Sequence, residues 1–92
     1  MRLSHDEEAF LRAWIYDEAH YQDGVGPAKR LQVQQGVKPA DLAVLVAAAL
    51  PDPAEQEAAG LGPPCTEAPA WPWTAETFRQ RLAEARATLS SN

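Results

Sequence analysis

The chain has 92 residues, enough for one hydrophobic core but few enough that roughly a third or more of the unfolded chain's surface stays wet. Its hydrophobic share of 46% and charged share of 23% are ordinary globular values, which argues against wholesale disorder. A net charge of -5 disfavours phosphate backbones and anionic lipid as partners, and a single cysteine excludes an intramolecular disulfide or a multi-thiolate metal site.

The opening residues MRLSHDEEAF contain no apolar export segment, so a cytoplasmic setting is the default expectation. Ser4 followed by Glu7 is a capping-box signature, and Asp6, Glu7 and Glu8 suit the positive end of a helix. A helix is predicted from His5 to about Tyr21. Phe10, Trp14 and Tyr21 project within about 40° of one another, with Leu11 and Ile15 beside them. This stripe is expected to pack on a central helix further along. Gly24 and Gly26 stop the first helix, and Pro27 suits the first turn of a second, over 27–35, with Ala28 and Leu31 inward and Lys29 and Arg30 outward.

Gly36 ends that second helix, and Val37 can tuck inward before Pro39 opens the most apolar run of the chain, ADLAVLVAAAL. The run is far shorter than the ~20 apolar residues that cross a bilayer, so it reads as a buried helix over 39–50. Leu42, Leu45, Val46, Ala49 and Leu50 form a heavy face. Ala40, Val44, Ala47 and Ala48 form a small one, shared with Asp41. Asp52 and Pro53 suit the start of a brief helix over 53–59, closed by Gly60. Residues 61–73 form a Pro-rich loop. Thr74 then caps a last helix over 75–89, whose apolar stripe is Phe78, Leu82, Ala85 and Leu89. The expected fold is all-α, a small irregular or orthogonal bundle of four to five helices in a single domain.

The sharpest functional pattern spans Ala28 to Leu45. Leu31, Gly36, Val37, Leu42 and Leu45 have the apolar and glycine spacing of a helix-turn-helix. Against DNA reading, the second helix turns Lys38, Ala40, Val44 and Ala47 outward, and alanine and valine offer base edges neither donor nor acceptor. Gln32 and Gln35 also stand where small and apolar residues are usual. The pattern reads first as a structural corner.

His5 and Glu8, and Asp17 and His20, have a spacing used in carboxylate metal sites. The two histidines lie roughly 22 Å apart along one helix, so they cannot share an ion, and both face away from the apolar stripe. Solvated surface histidines are expected. Glu18 projects onto the stripe, where an ion pair with Arg79 or Arg86 is a better explanation than an acid catalyst. Cys65 has no basic neighbour to activate it. In Trp71-Pro72-Trp73 the two rings either staple the loop across the bundle or present, with Pro69, a polyproline ligand; burial of two large aromatics favours the staple.

No catalytic set, cofactor motif or metal cluster is visible. The reading is a non-enzymatic module that binds another protein or a second copy of itself, with Ala40, Val44, Ala47, Ala48, Trp71 and Trp73 as its candidate partner surface. The rival is a helix-turn-helix nucleic-acid binder.

Overall fold

Short polar side chains and prolines decide where the helices begin. The structure, a computed structural model, describes residues 1–64 and 69–91. Five α-helices lie within them: α1 (His5–His20), α2 (Pro27–Gln34), α3 (Pro39–Ala49), α4 (Pro53–Leu61) and α5 (Ala75–Ser90), with no strand among the described residues. At the start of α1 the Glu7 amide donates to the Ser4 hydroxyl at 3.2 Å, and the Ser4 amide donates back to the Glu7 carboxylate at 3.0 Å. This reciprocal bonding satisfies two amides that the first helical turn leaves without partners. Proline opens α2, α3 and α4, at positions whose N–H would have had no helical acceptor in any case. Thr74 caps α5, and Thr77 takes the place that a glutamate usually fills, accepting from the Thr74 amide at 2.7 Å.

The architecture is the expected all-α irregular bundle. Helix limits differ from the predicted ones by a single residue except in α4, which continues through Gly60 to Leu61. Gly60 does not terminate the helix because its φ is not positive; the turn glycines are Gly24 and Gly36, at φ 84° and 69°. Gly60 is instead buried against α1, close to Ala19 and Ile15.

Phe10, Leu11, Leu42 and Leu45 are fully buried, with Trp14, Trp73, Phe78 and Leu82 in the same core. As whole bodies, however, α1 lies mainly against α4 and α2, while α3 lies mainly against α5. The apolar stripe of α1 nevertheless meets α3 within the core, as expected. Tyr21 leaves the core because it sits just past the last turn of α1, and Leu89 is half-exposed at the end of α5.

The pairing of α1 with α2 also corrects two expectations about charge. Lys29 is buried rather than outward, and its ammonium lies 2.7 Å from the Glu18 carboxylate. Glu18 thus meets a lysine from α2. The arginines of α5 are turned elsewhere because α5 packs on α3, where Arg86 reaches Asp41 at 3.5 Å.

The segment before α5 is held at its aromatic end. Trp71 and Trp73 sit edge-on to one another with centroids 5.1 Å apart, and each meets the edge of Phe10, at 5.1 and 5.5 Å. Phe78 closes the cluster from α5. Edge-to-face geometry of this kind adds about 0.5–1.5 kcal/mol per pair beyond area burial. Trp73 is 5% exposed and Trp71 is partly covered, so these rings staple α1 to α5.

Glu7 locks this staple. Its carboxylate accepts the Trp73 indole N–H at 2.7 Å and two bonds from the Arg81 guanidinium, at 2.7 and 2.9 Å. Burial opposes ionisation of Glu7, but the bonds from Arg81, the Ser4 amide and Trp73 outweigh it and bring its pKa from 4.5 down to about 2. Arg81 also bonds Glu84 at 3.0 Å, so one guanidinium serves two carboxylates at this end of the bundle.

Candidate functional site

At its other end α1 is covered less well. Its last two turns, with Ile15 and Ala19, lie under α4, whose sequence PAEQEAAGL has no large apolar side chain before Leu61. A helix this small cannot fill the space above its neighbour. An open trough of about 620 Å³ remains between the two, lined by Ile15 and Ala19 on one side and by Pro53, Gly60 and Leu61 on the other. Leu61 is 76% exposed and stands at its edge. Nothing among the described residues covers it.

Glu57 apart, the polar groups that line the trough are engaged. Glu18 is held by Lys29, and the His20 ring nitrogen Nε2 donates to the Gly60 carbonyl at 2.9 Å. The His20 ring also packs on Tyr16, with centroids 4.2 Å apart and planes inclined at 30°. Gln56 donates to the Leu50 carbonyl at 2.7 Å. The trough therefore has a fixed shape, an apolar floor and a carboxylate, Glu57, exposed at its margin.

The acidic residue expected beside His20 does something different. Asp17 is 2% exposed, and its carboxylate accepts from the Ala28 and Lys29 amides at 2.7 and 3.1 Å. It caps α2 from outside that helix, where a negative charge is favoured. A Cβ on Gly26 would fall inside the Asp17 carboxylate, so glycine is required there by space and not by φ. His5 is exposed at the opposite end of α1, and among the described residues no three histidine, cysteine, aspartate or glutamate side chains gather as a metal site.

The six residues predicted as a partner surface do not share one environment. Ala40 is exposed, Val44 and Ala47 are partly covered, and Ala48 is 4% exposed in the core. Trp71 and Trp73 come together, but within the aromatic cluster. Cys65 lies outside the described residues.

At the corner between α2 and α3, Gly36 makes the turn and Gln32 is 3% exposed, accepting the Trp14 indole N–H at 3.3 Å and donating to the Val37 carbonyl at 2.7 Å. The residue that departs from the helix-turn-helix pattern thus braces the corner from within. The trough itself was missed from sequence, although α4's lack of large apolar residues was a readable sign that it would leave α1 partly uncovered. The chain matches no protein-family model, no curated protein and no solved structure. No helix among the described residues is long and apolar enough to cross a membrane.

Proposed function

We propose that this chain is a non-enzymatic, cytoplasmic protein-binding module, and that its docking surface is the trough between α1 and α4. The observation that carries the reading is the open apolar floor of Ile15, Ala19 and Gly60 beside an exposed Leu61. An open apolar strip between two helices has the shape that a partner's apolar face can occupy. The trough is too open to enclose a small molecule, which typically loses about 70–90% of its surface to water on binding, and suits a convex protein surface better. Glu18 and His20 have partners of their own, so neither is poised as a catalyst. Nucleic-acid binding is less well supported, because the outward residues Ala40 and Ala43 of α3 offer no hydrogen bonds to bases.

The test sets the parent chain beside Leu61→Ser as baits in an extract of the source cell. Proteins retained by the parent and lost by a variant with the same thermal midpoint are the expected result. Identical retention by both, or retention of nucleic acid alone, would overturn the proposal.

A further inference from the structure

The partner's chemistry can be read from the charges that frame the trough, an inference that rests on the docking reading above. The two stretches of chain from which its lining residues come, 13–23 and 51–64, contain Asp17, Glu18, Asp23, Asp52, Glu55 and Glu57 and no lysine or arginine. The chain's net charge is -5, so its acidity is gathered here and the remainder is close to balanced. Asp17 is occupied with α2, and Glu18 shares its charge with Lys29. Asp23, Asp52, Glu55 and Glu57 are exposed and have no ion pair among the described residues. Glu57 lines the trough and Asp52 adjoins its Pro53, whereas Glu55 lines a separate cleft with Arg2 and Arg12, and Lys29 at the trough's side is tied to Glu18.

We infer that the trough takes a cationic amphipathic segment, which lays an apolar stripe against Ile15, Ala19 and Leu61 while a flanking lysine or arginine faces Glu57 and the start of α4. Two features point this way independently. The trough runs between two helices and is open along its top, a shape that fits the apolar face of a helix whose anchors recur every three to four residues. A like-charged partner would be repelled by the uncompensated Glu57 and by the net acidity of the two stretches, whereas a basic one is drawn in over about a Debye length. A second copy of this chain is disfavoured on the same ground, because symmetric docking of this face would bring two sets of carboxylates together.

The test uses the full chain and three labelled peptides of about 14 residues, roughly four helical turns. One is built of leucine and lysine at helical spacing, a second replaces lysine with glutamate, and a third replaces leucine with serine. Anisotropy titrations are expected to show the leucine–lysine peptide binding at least about tenfold more tightly than either control. Its affinity should fall as salt is raised from about 50 to about 300 mM. It should also fall at least about fivefold in Leu61→Ser and in Glu57→Lys, both altered at exposed positions that leave the fold intact.

Equal binding of the leucine–glutamate peptide, lost in Leu61→Ser, would overturn the choice of charge while leaving the docking reading in place. Equal binding of the lysine–serine peptide would overturn the apolar anchor. A sedimentation mass that doubles with concentration, and reverts in Leu61→Ser, would make a second copy the occupant and overturn the inference. Binding of no peptide overturns it too, and the comparison of baits then judges the docking reading separately.

Discussion

The two halves of α1 are treated in opposite ways. Its first turns carry Glu7 and Phe10, which are enclosed by Trp71, Trp73, Phe78 and Arg81, with the Glu7 carboxylate fully bonded and the Phe10 ring meeting both tryptophans edge-on. Its last turns carry Ile15 and Ala19 beneath a helix of small residues that leaves them partly open. One end commits its side chains to stability and the other leaves apolar surface available. In a domain whose total stability is on the order of 5–15 kcal/mol, an uncovered end is tolerable only because the closed end is well made.

The largest effect should come from breaking the closed end. Glu7→Gln removes the charge that organises Arg81 and Trp73, and losing one partner of a mostly buried ion pair costs about 3–5 kcal/mol. The thermal midpoint near neutral pH should fall by more than about 10 °C. The same group sets the acid sensitivity. Because the folded pKa of Glu7 is depressed from 4.5 to about 2, its contribution is fully present above pH 4.5 and is lost as pH falls through about 2. That loss amounts to about 3 kcal/mol, at 1.36 kcal/mol per pKa unit. Urea midpoints measured from pH 6 down to pH 2 should decline steeply in the parent and less in Glu7→Gln.

Next in size is the buried cap between α1 and α2. Gly26→Ala sets a methyl group where the Asp17 carboxylate lies and should cost about 2 kcal/mol. Coupling sharpens this test: with Asp17→Ala already present the methyl has room, so the double variant should be less destabilised than the sum of the two single ones. Additive losses in urea unfolding would show that the two positions do not meet.

Much of the fold was legible because its signals are local. Ser4, Pro27, Pro39, Pro53 and Thr74 mark helix starts through bonds made or not made within one turn, and the structure places the starts there. What could not be read depends on which helices pair. Lys29 looked outward and Glu18 looked for an arginine until α2 settled on α1. Asp17 looked like a surface neighbour of His20 because its true partners, the amides of Ala28 and Lys29, are backbone groups that carry no sequence signature. Gly60 looked like a stop because contact with Ala19 and Ile15 is invisible along the chain. The small face of α3 drew attention as a surface, whereas the open strip arises from what α4 lacks.

The open end should respond weakly. Gly60→Ala adds a methyl at ordinary contact distance, 3.6 Å from the Ala19 Cβ, and removes a glycine from a helix. It should raise stability by up to about 1 kcal/mol in urea titrations. Leu61→Ser should change stability by less than about 0.5 kcal/mol, since the side chain is mostly in water already. A large loss from either substitution would mean that this end is as closed as the other, and the contrast would be gone.

The most direct measurement follows backbone amide resonances of the full chain during titration with the leucine–lysine peptide. Shifts concentrated at Ile15, Ala19, Gly60 and Leu61, with Phe10, Trp73 and Arg81 unmoved, are the expected result. Shifts centred on Phe10, Trp73 and Arg81, or none at the α1–α4 trough, would contradict the account.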